Sequence, residues 1–94
     1  MNEHFRASRR KAIPLDLSGT FIRRTDFSNA NLEGADLSHA DCTNAIFRGA
    51  NFKDAVLEGT ILRGADFTGA ANLTREQIAV AVVDKTTILP EYLR

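Results

Sequence analysis

Residues 15 to 69 read LDLSG-TFIRR-TDFSN-ANLEG-ADLSH-ADCTN-AIFRG-ANFKD-AVLEG-TILRG-ADFTG, eleven units of five in one phase. The third residue of every unit is apolar: Leu17, Ile22, Phe27, Leu32, Leu37, Cys42, Phe47, Phe52, Leu57, Leu62 and Phe67. The first is Ala or Thr in all but the unit opened by Leu15, and all six glycines of the chain stand fifth. A period of five fits neither the 3.6 of an amphipathic helix, which would scatter these residues around its circumference, nor the 2.0 of a strand. It fits a chain that turns a corner once per unit, with the third and first residues inward and the others outward. The first must be small because inward side chains crowd a narrow interior. The fifth is often Gly or Asn because a corner that needs φ > 0 is reached most cheaply by those residues.

ANLEG, ADLSH, ANFKD and ADFTG fit the pattern A-[DN]-[LF]-x-x, and on these units residues 15–69 closely resemble the pentapeptide-repeat family. The resemblance implies an all-β solenoid, a right-handed quadrilateral β-helix with four units to a coil; the spacing by itself gives only the corner. With four units per coil, residue n stacks on n+20. A first wall then carries Leu17, Leu37 and Leu57 inward, and a second Ile22, Cys42 and Leu62. A third carries Phe27, Phe47 and Phe67, and a fourth Leu32 and Phe52. A leucine ladder and a phenylalanine ladder are what like-on-like stacking selects. Coils spaced by roughly 4.8 Å, as hydrogen-bonded strands are, make the eleven units a stub of under three coils and roughly 13 Å.

Such a stub needs capping helices at its ends, which divides the chain into a basic N-terminal cap or tail (1–14), the repeat body (15–69) and a C-terminal helix and strap (70–94). The phase slips at Ala70-Ala71-Asn72-Leu73, which is expected to end the coil. Thr74-Arg75-Glu76-Gln77 then reads as a capping box, with Leu73 and Ile78 placed as a hydrophobic staple. It predicts a helix from Arg75 to about Val83 with Ile78, Ala81 and Val82 on its apolar side, followed by a strap of Leu89, Pro90 and Leu93. At the other end, Asn2 to Ala12 is read as a helix laying Phe5, Ala12 and Ile13 over the first coil.

Twelve basic residues balance twelve acidic ones, so no net field draws the chain toward nucleic acid or an anionic membrane. The balance is uneven: +3 over 1–14, −3 over 15–69, neutral thereafter. No apolar run has bilayer-spanning length and no signal-like apolar core opens the sequence, which points to the cytoplasm. Cys42 is the single cysteine, so no internal disulfide and no cysteine metal cluster can form. A Cys–His pair would need His39, but His39 stands at an outward fifth position and Cys42 at an inward third one. Asp16, Asp26, Asp36, Asp41 and Asp66 recur at the second position, yet stacking by 20 brings only Asp16 beside Asp36. Their expected role is to bond nearby backbone at each corner. With no phosphate loop and no metal spacing, the expectation is a protein without cofactor, small-molecule substrate or catalytic activity.

Phe21, Ile46, Val56 and Ile61 break the Asp/Asn habit of the second position. Phe21 and Ile61 belong to the second wall with Arg23, Arg24 and Arg63, and Val56 lies near its edge on the first. An apolar patch ringed by arginine suits a protein-binding surface, and Phe21, Arg23, Arg24, Val56, Ile61 and Arg63 form the candidate patch of an interaction or scaffold module with an unidentified protein partner. The competing reading covers the same residues with 1–13 or 84–94 of the chain itself. The resemblance offers a further alternative, a DNA mimic that inhibits a type II topoisomerase, but this rod is short and its acids are interrupted by five bases. Arg6, Arg9, Arg10 and Lys11 without interleaved aromatics argue against nucleic-acid binding. The resemblance also implies end-to-end dimers, whereas a capped C-terminus argues for a monomer or weak homodimer.

Overall fold

Each unit closes on the same turn. In the computed structural model, which describes residues 15–94, the first N–H of each following unit donates to the third-position carbonyl: Ala35 to Leu32 and Ala45 to Cys42 at 3.0 Å, Ala70 to Phe67 at 2.9 Å. The fifth residue has positive φ in every unit, from 56° at Arg24 to 71° at Gly64 and Gly69, and no fourth residue does. Positive φ at the second central position alone is the arrangement of a type II turn. The reading of 1–14 as a helix or tail lies outside the described residues.

The corners put successive coils in register. Parallel bridges join Asp16 to Asp36, Phe21 to Asp41, Asp26 to Ile46 and Asn31 to Asn51, and continue at the same interval of 20 to Val56, Ile61, Asp66 and Ala71. Around each bridge the second-position N–H donates to the preceding coil (Asp41 to the Thr20 carbonyl, 2.8 Å) and the third-position N–H to the following one (Cys42 to Ile61, 2.8 Å). The fifth-position N–H adds a third bond, as from His39 to Glu58 at 2.9 Å. The chain turns after a single paired residue, so pairing takes the form of isolated bridges, not extended strands.

The interior is a stack of third- and first-position side chains. Leu32, Leu37, Cys42, Phe47, Phe52, Leu57, Leu62 and Phe67 are buried, with the small first-position residues Ala35, Ala40, Ala45, Ala50, Ala55, Thr60 and Ala65 between them. Leu17, Ile22 and Phe27 are only half-buried, because they belong to the outermost described coil and have a stacking partner on one side. Phe47 lies between Phe27 (5.3 Å, 7°) and Phe67 (5.0 Å, 16°), and Phe52 meets Phe47 edge-on at 5.1 Å and 72°. The parallel offset and T-shaped contacts are both favoured ring geometries. Thr60, fully buried, offsets the cost of its hydroxyl by donating to the Leu37 carbonyl at 2.7 Å.

The phase slip at 70–73 does not end the coil path, contrary to the sequence expectation. Helix α1 (Arg75–Ala79) takes the place of a fourth unit on the first wall, after which Val82 bridges Ile61 and Ile88 bridges Asp66. The intervals there are 21 and 22, so pairing continues while the five-residue phase does not. The capping box is present: Gln77 N–H donates to Thr74 Oγ1 (3.1 Å) and Thr74 N–H to Gln77 Oε1 (2.8 Å). Gln77 also donates through Nε2 to the carbonyls of Phe52 (2.8 Å) and Ala55 (2.9 Å), fixing α1 to the coil above. The helix stops at Ala79 and not near Val83, because the Val80 carbonyl accepts from Gly59 N–H (2.8 Å) and Val82 enters a bridge. β-Branched Val80, Val82 and Val83 suit that extended path. Pro90 is buried, and Tyr92 hydroxyl donates to Ala70 (2.9 Å) while accepting from Leu73 N–H (3.0 Å).

Corner side chains lean along the stack. A Cβ at Gly64 would collide with Asn44 Oδ1 from the coil above, whereas at Gly19 nothing among the described residues lies within 4 Å. Both have positive φ, so Gly19→Ala is expected to cost only the left-handed backbone, about 1–2 kcal/mol. Gly64→Ala is expected to cost more, because Asn44 must also move. Urea unfolding midpoints of the two variants check this; equal losses would show that the corner column is loose.

Candidate interaction surface

Second-position carboxylates and amides bond their own corner. Asp16 accepts from the N–H of Ser18 (3.0 Å), Asp26 from Ser28 (2.9 Å), Asp36 from Ser38 (2.9 Å), Asp41 from Thr43 (3.1 Å) and Asp66 from Thr68 (2.9 Å). Asn31 and Asn51 accept likewise from Glu33 and Lys53. Where the fourth residue is Ser18, Ser38, Thr43 or Thr68, its hydroxyl donates to the same oxygen at 2.6–2.7 Å. These bonds favour the ionised form. Ser18 holds Asp16, Ser28 holds Asp26, Thr43 holds Asp41 and Thr86 holds Asp84 below the ordinary value of 3.8. At Asp66 partial burial pushes upward, and Thr68 and Arg48 together overcome it.

Phe21, Asp41, Ile61 and Val82 follow one another down the second wall as bridge partners. Phe21 and Ile61 are thus brought to one column but separated by Asp41, as the spacing of 20 implies. Asp41 is 8 % exposed. Its Oδ1 takes the Thr43 bonds and its Oδ2 accepts from Arg23 Nε at 2.8 Å. The Arg23 side chain nonetheless stays 63 % exposed. Phe21 is 84 % exposed, and Val56 44 % on the neighbouring wall. Arg24 and Arg63 are exposed on the same wall as Phe21. Residues 84–94 do not cover Phe21; Tyr92 and Pro90 lie instead against the far end, by Ala70 and Leu73. Val82 also pairs with Ile61, a neighbour that the spacing of 20 does not reach.

Cys42 is fully buried and His39 exposed, so the two do not form a pair, and burial pushes the Cys42 thiol up to about 12. Asp16 and Asp36 are bridge neighbours, while Ile46 separates Asp26 from Asp66. Among the described residues, no three His, Cys, Asp or Glu side chains gather as metal ligands, and no helix is long and apolar enough to cross a membrane. An open groove of about 540 Å³ at the C-terminal end is lined by Thr68, Gly69, Ala70, Pro90, Glu91, Tyr92 and Arg94, without a histidine, cysteine or lysine.

A coil of four five-residue units with Asx-bonded corners defines a class of protein. The family described as Pentapeptide repeats matches residues 15–41 and 35–75 in eight copies. The chain belongs to the pentapeptide-repeat family, whose fold is the right-handed quadrilateral β-helix. Among solved structures it is similar to the pentapeptide-repeat protein Rfr23 from the cyanobacterium Cyanothece 51142, with 29% identity and a TM-score of 0.71, covering 82% of this chain and 52% of that one. The chain thus spans about half the length of Rfr23. It is also similar to alr5209, a pentapeptide-repeat protein from Nostoc Pcc 7120, at 28% identity, covering 95% of this chain and 81% of that one with a TM-score of 0.36. No curated relative matches.

Two outcomes follow from these environments. A carboxylate whose native pKa lies below its unfolded value stabilises the fold at pH above that unfolded value and loses the contribution as pH falls through the native one. With Asp16, Asp26, Asp41, Asp66 and Asp84 all lowered from 3.8, stability is expected to hold steady above about pH 5 and to fall below about pH 4. Unfolding midpoints across pH 2–8 measure it. The thiol of native Cys42 should resist iodoacetamide at pH 8 and react at the rate of a free thiol in denaturant; rapid labelling of the native protein would refute its burial.

Proposed function

We propose that the chain is a non-catalytic binding module that docks a protein partner on its second wall. The observation that supports this reading is Phe21, a large ring 84 % exposed beside Arg23, Arg24 and Arg63, where most other units carry Asp or Asn. Aromatic and arginine side chains are the residues that most often anchor protein interfaces. In this reading the repeat body, under three coils long, is a rigid mount for that wall, α1 and the residues after it act as the C-terminal cap, and the module works in the cytoplasm without a cofactor. Among the described residues, Cys42 is buried and the second-position aspartates are bonded to their own corners, which favours the non-catalytic reading. DNA mimicry requires dense acid along the rod, whereas the second wall carries three arginines against Asp41.

Pull-down from the native cell with Phe21→Ser and Ile61→Ser tests the reading, Ser being chosen to avoid stacking a new carboxylate on Asp41. The expected outcome is lost capture by both variants, with an unchanged unfolding midpoint for exposed Phe21→Ser, where such substitutions shift stability by about 0.5 kcal/mol or less, and a lowered one for half-buried Ile61→Ser. Unfolding of the Phe21→Ser variant would show that this ring is internal packing.

A further inference from the structure

The four walls differ in charge more than the chain as a whole does. Across units 15–19, 35–39 and 55–59 the first wall holds Asp16, Asp36 and Glu58 and no Lys or Arg. The third holds Arg48 against Asp26 and Asp66, and the fourth Lys53 against Glu33 and Asp54. Among units 15–69, only the second wall is net positive, with Arg23, Arg24 and Arg63 against Asp41. Asp41 engages Arg23 through Nε, and the side chain remains 63 % exposed. Arg24 occupies a corner at φ 56°, a region where a long non-glycine side chain costs roughly 1–2 kcal/mol and where most units place Gly or Asn.

The apolar groups of this wall have a definite spacing. Phe21 and Ile61 stand two coils apart in one bridged column, roughly 9.6 Å at the inter-strand spacing. An extended partner running along the axis repeats a face every second residue, at roughly 6.7 and 13.4 Å, and matches neither. An α-helix presents residues i and i+7 on one face roughly 10.5 Å apart. We infer that the second wall docks an acidic amphipathic helix whose apolar residues seven apart meet Phe21 and Ile61 and whose carboxylates meet Arg23, Arg24 and Arg63. This rests on the second wall being the docking face; it adds the chemistry and shape of the occupant. Nucleic acid fits less well, because three arginines beside a buried carboxylate neutralise few phosphates, and Phe21 protrudes where a backbone would lie.

The test is selection from a phage-displayed library of single helices with every surface position randomised, against the full chain, Phe21→Ser, Arg63→Glu, and Arg24→Asn with Arg63→Glu. Asn at position 24 keeps the corner conformation, and each variant is first shown to retain its unfolding midpoint. The expected result is enrichment of acidic helices with apolar residues at i and i+7, weakened at least about tenfold by the arginine substitutions and by 0.5 M salt. Enrichment of neutral or basic sequences that still needs Phe21 would overturn the acidic helix while leaving the docking face. No enrichment, or enrichment indifferent to Phe21→Ser, would overturn both. Binding that appears only after deletion of residues 1–14 would assign the wall to the chain's own N-terminal segment. Stronger, arginine-dependent retention of a DNA duplex or of phosphatidylserine vesicles would assign it to a polyanion; either result overturns the inference.

Discussion

The left-handed residue at the end of each unit is the constraint from which the rest follows. It closes a turn between the third-position carbonyl and the next unit's first N–H, and so sends the backbone around a corner every five residues. Four such corners return the chain to its starting azimuth one strand spacing along, which is why every bridge from Asp16 to Ala71 has an interval of 20. Once that interval is fixed, each side chain has a permanent neighbour above and below. The interior can then be filled by like on like, as in the stacked rings of Phe27, Phe47 and Phe67.

The second-position carboxylates reinforce the same corner from outside. Each spans the turn to the fourth-position N–H, so a side chain supplies the bond that the tight backbone path leaves open. Two of them also reach between coils, Asp41 to Arg23 and Asp66 to Arg48. Both pairs link a fourth-position arginine to the carboxylate 18 residues on. The exposed ends of these pairs limit their contribution to stability to about 1 kcal/mol each. Their larger effect is to orient the arginines on their walls.

The regular parts of the fold were legible because they rest on periodic pressure. Leu37, Phe47 and Leu57 occupy positions where only an apolar side chain fits, and Asp/Asn at the second position follows from an unpaired N–H two residues later. The irregular parts were hidden for the same reason. Val82 and Ile88 pair at intervals of 21 and 22, and no five-residue phase marks a bridge made outside the repeat. The early end of α1 depends on Gly59 claiming the Val80 carbonyl, a contact between residues far apart in sequence. On the candidate surface, Phe21, Val56 and Ile61 stood out as departures from the second-position pattern, with the arginines as their neighbours. Asp41 did not, because it obeys the pattern, and its place between Phe21 and Ile61 appears only when the column is followed coil by coil.

A fold built this way separates its stability from its surface. Positions one, three and five are claimed by the interior and the turn, and position two is claimed wherever an Asp or Asn bonds the corner. Replacing that residue by Phe or Ile gives up a corner bond worth about 1 kcal/mol and leaves a large apolar side chain outward. The substitution therefore runs against the local interest of the coil. At Phe21 it is joined by Arg24, a second residue at odds with its own backbone, on the same unit and the same wall. Both departures weaken the coil locally, and they stand side by side on the wall that is net positive among units 15–69.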